Sequence, residues 1–298
     1  MSFGSDSPWA QRAVAEVAAR STGEPLNRAL PVTLNFHPER RTNGATVLQG
    51  LATHGVYRSQ FETGTSNGGM TAYPGGDRWR WEQRVFNGAY DDAPQTHRPK
   101  YGALNFRNRS IGAAPRFGSA HFRLSEPVMD RTTFCFPDSV GEPDNFGVAQ
   151  SCDLIKLAAE FSAVPRTDLD EATVGGALDD YIEAHVHGPI LLNRDVEAVV
   201  LDPSFRGTAI EEQAFSLGVP VEWHEGRVLD LAELERHPQF RGPDIVKVAR
   251  RVAQNGTLNA RIIGDSVEKG GEVAQDLKKV WHYVARFGSP LVLGQVPN

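Results

Sequence analysis

The stretch from Gly55 to Gly76, GVYRSQFETGTSNGGMTAYPGG, constrains the fold of this chain more than any other segment. It begins with a mix of β-branched, aromatic and polar residues, which predicts a strand that starts at Val56. It then breaks into a loop rich in glycine and asparagine. Glycine tolerates positive φ and a close backbone approach, so we expect this strand and loop to be built around another group.

Three polar side chains, Arg58, Gln60 and Glu62, would share one face of that strand, because successive side chains point to opposite faces. Such a face is either exposed to solvent or forms the wall of a polar cleft. The spacing alone leaves both alternatives open.

Composition restricts the class of protein. Of the 298 residues, 40% are hydrophobic and 23% are charged, values typical of a globular chain with a substantial core. The net charge of -6 argues against a wide, nonspecific nucleic-acid surface. The two cysteines, Cys135 and Cys152, form no CxxC motif, so we expect neither a disulfide framework nor a zinc cluster.

The hydropathy pattern contains no signal-peptide core and no run that approaches the roughly 18 apolar residues of a membrane span. We therefore expect no membrane partner. The expected location is cytoplasmic, or outside the cell after export without a classical signal peptide.

Helix and strand patterns alternate irregularly in the first half of the chain. A helix is predicted from Ser7, with Pro8 at its first position, and a second helix spans 46–54. Between them lie a strand and a charged turn, HPERR. The predicted strands of this half fall at 31–36, within 97–106, within 115–124 and at 131–136. Their glycine and proline punctuation favours a mixed or antiparallel sheet over repeated βαβ units.

The second half adds helices and ends in a helical region. Helices are predicted at 153–161 and 208–217, a strand at 196–201 and a final strand pair within 219–231, and residues 231–287 are mostly helical. We therefore predict an α+β fold. Residues 1–230 form a catalytic domain with an N-terminal helix on a mixed β core, and residues 231–298 form a helical extension packed on it.

Three polar residues on predicted strands could together form a functional site, namely Arg58, Ser119 and Glu183. They are far apart along the chain, so they meet only if three strands converge. Each also has a plain structural interpretation, as a surface arginine, a strand-edge serine or a solvated glutamate.

The same residues resemble the three motifs of mono-ADP-ribosyltransferases, in the same order. The motifs are an aromatic-arginine pair, Tyr57-Arg58, an aromatic residue before a serine strand, Phe117-Gly118-Ser119, and a strand glutamate, Ile182-Glu183. The whole chain, from FHPER through YRSQFETG and HVHGP to VWHYVARFG, also resembles a bacterial domain-of-unknown-function family. Where the transferases have Ser-Thr-Ser, this chain has Ser119-Ala120-His121. Two residues before the glutamate it has Tyr181, not Glu or Gln. Both differences argue against arginine as the acceptor.

The resemblance implies an ADP-ribosyltransferase-like core that uses NAD as co-substrate and requires no metal. Glu183 would grip a ribose hydroxyl more strongly as positive charge builds on the sugar. Arg58 would pair with the diphosphate or ribose, and Ser119 would support the site. The NAD contacts implied are Tyr57, Arg58, Ser59, Gln60, Gly68, Gly69, Tyr101, Phe117, Ser119 and His121. The acceptor or support residues implied are His185, His187 and Glu62.

The activity implied is cleavage of the nicotinamide-ribose bond, with transfer of ADP-ribose to a protein, a nucleic acid or a small molecule. NAD glycohydrolysis would be a side reaction. A bacterial toxin or effector of this kind could have an immunity or regulatory protein as partner.

The histidines support a rival hypothesis. His185 and His187 form an HxH pair on one strand face, and His121 lies on another strand, so a metal-dependent hydrolase is an alternative. A second alternative is a binding module whose cleft has no chemistry. Metal content and NAD turnover discriminate the three hypotheses.

Overall fold

The computed structural model describes residues 7–42, 44–64, 70–164 and 176–291. Its strands are β1 Val32–Phe36, β2 Arg41–Thr42, β3 Ala45–Thr46, β4 Val56–Tyr57, β5 Lys100–Leu104, β6 Ala120–Leu124, β7 Thr132–Phe136, β8 Asn145–Val148, β9 Ile182–Val186, β10 Ile190–Leu191, β11 Val196–Leu201, β12 Val221–Trp223, β13 Val228–Asp230 and β14 Thr257–Asn259. Its α-helices are α1 Pro8–Ala18, α2 Val47–His54, α3 Gln60–Thr63, α4 Asp77–Val85, α5 Leu154–Ala163, α6 Leu192–Asp195, α7 Ala209–Phe215, α8 Leu231–Leu234, α9 Pro243–Val252, α10 Ala260–Lys269 and α11 Ala274–Phe287.

An eight-stranded sheet organises these elements in the order β12-β11-β6-β1-β5-β9-β7-β8. Neighbouring strands are antiparallel except for the parallel pair β11 and β12. The predicted α+β class with a mixed sheet is confirmed.

Capping residues begin the first two helices where the sequence predicts them. The Ser7 hydroxyl accepts a hydrogen bond from the Ala10 amide, and a proline opens α1. Thr46 and Gln49 form a reciprocal capping box at α2. Gly55 ends α2 with φ of 66°, a left-handed conformation that glycine adopts without steric cost, and this reverses the chain into β4.

The strand predicted from Val56 through Glu62 is wrong beyond its first two residues. The chain turns into α3 because Ser59 caps it: its hydroxyl accepts from the Glu62 amide at 3.2 Å, while Glu62 accepts from the Ser59 amide at 2.7 Å. The Ser-x-x-Glu signature of a capping box was present in the sequence. Arg58, Gln60 and Glu62 therefore do not share a strand face.

The strand pair predicted within 219–231 is also wrong in its pairing. The strand β12 joins the edge of the large sheet beside β11, whereas β13 pairs with β14. Several short elements had no counterpart among the predicted helices and strands, and so did the longer α4 and β8.

Alternation along β9 divides its side chains between two cores. Ile182, Ala184 and Val186 enter the main hydrophobic core. Glu183 and His185 point to the opposite face, where α1 and α4 contribute a second apolar cluster around Trp81 and Phe86. Glu183 thus emerges between the sheet and α4.

The C-terminal helices share the main core with the sheet. Leu277, Val280 and Val284 of α11 belong to the same cluster as Leu34 and Phe122. The division of the chain at residue 230 remains a prediction. Within the described ranges, every helix is too short or too polar to span a lipid bilayer.

Candidate active site

A cleft of about 400 Å³ lies against the sheet, between α2, the segment around α3 and the start of α4. Its floor includes the ends of β1 and β5 and the carboxylate-bearing face of β9. Seven of the site residues predicted from the sequence line it: Tyr57, Arg58, Gln60, Glu62, Tyr101, Phe117 and Glu183. The first and third motif residues therefore face one cavity, although they are far apart along the chain.

Glu183 is buried, with 5% of its surface exposed, and donors reach both of its carboxylate oxygens. His185 Nε2 lies 3.0 Å from Oε1, and the Ser139 hydroxyl donates to Oε2 at 3.1 Å. The Arg78 guanidinium is 3.9 Å from Oε1. Burial alone would raise the pKa of Glu183, but His185, Arg78 and Ser139 together hold that pKa below its ordinary value.

Arg78, on α4, is the guanidinium beside Glu183, whereas the Arg58 side chain is exposed on the cleft wall. Arg78 donates to the Ser139 hydroxyl at 2.7 Å and lies 3.9 Å above the Tyr101 ring. Its Nε has no hydrogen-bond partner among the described residues. Sequence reasoning missed Arg78 because α4 was not predicted.

Aromatic side chains line the cleft. Tyr101 donates its hydroxyl to Glu82 at 2.7 Å, so the ring is fixed in place. Tyr57 packs edge-on against Phe122 at 5.9 Å, and burial raises its pKa to about 12. Phe117 completes the set of ring surfaces.

Ser119 does not meet Glu183, which corrects the supporting role predicted for it. It directly precedes β6, and β1 and β5 separate that strand from β9. Its hydroxyl has no hydrogen-bond partner in the described part of the chain. Ser139 occupies the predicted position next to the carboxylate.

His121 lies outside the cleft, so the NAD contact predicted for it is not supported. It pairs with Asn35 in the sheet, and burial, followed by the charges of His224 and Arg123, lowers its pKa to about 3. Because β1 and β5 also separate it from β9, the His121, His185 and His187 metal set is not assembled.

His185 and His187 lie behind Glu183, inside the second apolar cluster and away from the cleft lining. Ligand-type atoms of Cys135, Glu183 and His185 come within 4.8 Å of one another. Burial raises the pKa of the Cys135 thiol well above its usual value.

Among the remaining predicted residues, Ser59 is buried as the cap of α3 and donates to the Gln95 carbonyl at 2.8 Å. It is not part of the cleft lining. Gly68 and Gly69 lie outside the described residues.

Two further cleft residues, His37 and Asp138, went unrecognised. His37 directly follows β1 and was placed in a charged turn, but it is buried, with Nδ1 3.1 Å from Glu39 and Nε2 unpartnered among the described residues. Asp138 accepts from Tyr181 and two backbone amides, and burial, followed by the charge of Glu183, raises its pKa. The cleft therefore holds two carboxyl groups with pKa values displaced in opposite directions, a pattern common at catalytic sites.

Comparison with known proteins places this architecture in a family. The chain is 25% identical over 185 residues to "Gene 2 protein" of Mycobacterium phage L5, an alignment that covers 58% of this chain and 67% of the phage protein. The family described as "Protein of unknown function (DUF3626)" matches residues 31–163 and 157–287. These two matches span most of the chain, which therefore belongs to the DUF3626 family.

Proposed function

We propose that the protein is an NAD-dependent mono-ADP-ribosyltransferase, a toxin or effector with NAD glycohydrolysis as a side reaction. The observation that carries the proposal is the presence of Glu183 and Arg58 on one cleft that aromatic side chains also line. A volume of about 400 Å³ falls within the range of small-molecule sites.

The reaction breaks the bond between the ribose C1′ and the nicotinamide nitrogen, and the electron pair leaves with nicotinamide. Positive charge builds on the ribose, as in glycoside cleavage. An ionised carboxylate held by fixed donors needs no reorganisation to stabilise that charge, so Glu183 would favour the transition state over the ground state. The acceptor, or water, then bonds to C1′ and loses a proton.

The surroundings of the carboxylate suit this role. Arg78 and Ser139 keep Glu183 ionised and oriented. Arg58, exposed on the wall, has the paired donors that match a diphosphate. Tyr57, Tyr101 and Phe117 offer ring faces for nicotinamide or adenine.

Nicotinamide release from NAD tests the proposal. We expect Glu183→Gln to lower the rate on the order of 100-fold, because an amide carries no charge to oppose the developing cation. Glu222→Gln is the matched control, since Glu222 lies at the far edge strand and pairs with Arg123 on the surface. An unchanged rate in Glu183→Gln, or no NAD cleavage by the wild type, would overturn the proposal.

A second arm identifies the acceptor class. NAD labelled in its adenylate half is incubated with the protein and with separate protein, nucleic-acid and small-molecule fractions of a cell extract. Label that transfers to one fraction, and does not transfer with Glu183→Gln, assigns the acceptor. Label recovered only as free ADP-ribose assigns glycohydrolysis instead.

A further inference from the structure

A continuous series of buried hydrogen bonds extends from Glu183 away from the cleft. His185 Nε2 lies 3.0 Å from Glu183 Oε1, and His185 Nδ1 lies 3.0 Å from the Thr133 hydroxyl. The same hydroxyl is 2.9 Å from His187 Nε2, and His187 Nδ1 is 2.7 Å from the Tyr90 hydroxyl. All five side chains are buried.

Donor counting gives this series one direction. An ionised Glu183 only accepts, so His185 Nε2 must carry a proton, and in a neutral ring Nδ1 is then an acceptor. Thr133 has a single hydroxyl hydrogen, which it must give to His185. It therefore accepts from His187 Nε2, which leaves His187 Nδ1 to accept from Tyr90.

Burial keeps both rings neutral, which this direction requires. It lowers the pKa of His185, against the opposing effect of Glu183, and lowers the pKa of His187 further with help from nearby cations. The titratable and charged groups that face the series from neighbouring elements are Arg78, Glu82, Arg98, Lys100, Tyr101, Arg131, Cys135 and Asp138.

Aromatic packing fixes the ring planes. The Tyr90 and His187 rings are nearly parallel, 4° apart, and meet edge to edge through their hydrogen bond, with centroids 5.9 Å apart. Phe86 meets both imidazoles edge-on, at 5.7 Å from His185 and 5.0 Å from His187, and Trp81 lies 4.9 Å from His185. Because these rings confine the imidazoles, His185 and His187 cannot readily rotate when one hydrogen bond is removed. A change of tautomer is then the main way in which they adjust.

We propose that Tyr90, His187 and Thr133 are positioning residues that fix His185 as its Nε2–H tautomer and thereby hold the Glu183 carboxylate ionised and aimed at the cleft. The effect of these positioning residues on the reaction rate rests on the proposed function, whereas the histidine tautomers are measurable without NAD. The series moves no net proton in this role.

The tautomers are tested by nitrogen NMR of histidine-labelled full-length protein, with each ring assigned from a single histidine substitution. In the wild type we expect His185 and His187 to be neutral, with protonated Nε2 and slowly exchanging ring protons. Thr133→Val should convert one or both rings to other tautomers, while Thr133→Ser should restore the wild-type signals. A cationic or Nδ1–H form of His185 in the wild type, or unchanged signals in Thr133→Val, would overturn the proposal.

Thr132→Val is the matched control for Thr133→Val. Thr132 is the preceding residue of β7, is also buried, and donates its hydroxyl to the Val128 carbonyl at 2.8 Å on the opposite side of the sheet. The same chemical change there should leave both tautomers unaltered. If Thr133→Val does not fold, Tyr90→Phe replaces it, because it removes the outermost donor with little change of shape.

The rate gives a second readout. Thr133→Val removes the hydrogen bond that holds His185 Nδ1, so His185 is held less firmly against Glu183 and the pKa of Glu183 rises. We therefore expect the acidic limb of the pH profile for nicotinamide release to move to higher pH in Thr133→Val. The kcat should fall about tenfold while KM changes little, and Thr133→Ser should behave like the wild type. An unshifted profile with normal turnover contradicts the positioning role. Absence of turnover in the wild type contradicts the proposed function alone, and the tautomers still decide this inference.

Discussion

Glu183 is the carboxylate of the cleft that is both buried and held ionised. Removal of a carboxylate from water is costly unless donors replace the lost hydration. His185, Ser139 and Arg78 supply those donors and the opposing charge. The site therefore depends as much on these three neighbours as on the carboxylate.

Removal of the Arg78 charge should leave Glu183 buried without its cation. We expect Arg78→Gln to lower the free energy of unfolding by about 3 kcal/mol at neutral pH, since breaking a buried pair leaves one charge uncompensated. Urea unfolding measures the change. Arg80→Gln, two residues along and exposed, is the control and should cost little. Equal costs for the two variants would mean that Arg78 does not compensate Glu183.

The pH dependence of stability should carry the signature of Glu183. Its pKa in the folded protein is below the ordinary value of 4.5, so its contribution is complete above that value and is lost as pH falls through the folded pKa. We expect the unfolding free energy of the wild type, relative to Glu183→Gln, to decrease as pH falls below 4.5. The comparison is repeated with Asp138→Asn added to both the wild type and Glu183→Gln. This removes the contribution of Asp138, whose raised pKa makes stability change with pH in the opposite direction. A difference that grows on acidification would contradict this assignment.

Among the elements, α3 shows how a short capped turn can shape the cleft. Ser59 caps it and also donates to the Gln95 carbonyl, which ties the helix to the loop before β5. Gln60 and Glu62, on this helix, line the cleft. Loss of the cap therefore disturbs the wall that carries Arg58 while leaving Glu183 in place.

We expect Ser59→Ala to lower the free energy of unfolding by about 1–2 kcal/mol, from the lost cap and the unpaired carbonyl. In nicotinamide release, KM should rise several-fold while kcat changes less. Ser21→Ala is the control, because that serine only donates to the Val17 carbonyl at the end of α1. A fall in kcat with KM unchanged would place α3 in the chemical step and contradict this interpretation.

Local signals in the sequence predicted the elements better than their pairing. Ser7 and Thr46 mark the starts of their helices, because each caps its helix through a hydrogen bond to an amide three residues along the chain. The separation of Ser119 from Glu183 depends on β1 and β5 being inserted between their strands, which no local pattern encodes. Arg78 and Ser139 reach Glu183 only through the packing of α4 and the turn after β7, so the sequence pointed to Glu183 and His185 but not to these two neighbours.

At the scale of the whole molecule, one core joins the sheet to the C-terminal helices. Trp281 of α11 is 1% exposed and donates its indole N–H to the Pro115 carbonyl at 2.7 Å. That carbonyl lies in the segment leading to Phe117, on the cleft. The helical extension therefore supports the cleft from behind.

This packing predicts that residues 1–230 will not fold alone. Truncation there removes Leu277, Val280, Trp281 and Val284 from the main core. Each buried side chain of this size stabilises a fold by about 2 kcal/mol, so their loss together rivals the roughly 5–15 kcal/mol by which domains are stable. We expect the fragment to lose its near-ultraviolet circular dichroism and its cooperative unfolding, whereas full-length Trp281→Phe should keep both with reduced stability. A fragment that unfolds cooperatively would instead establish residue 230 as a true domain boundary, with the helices as a dispensable layer.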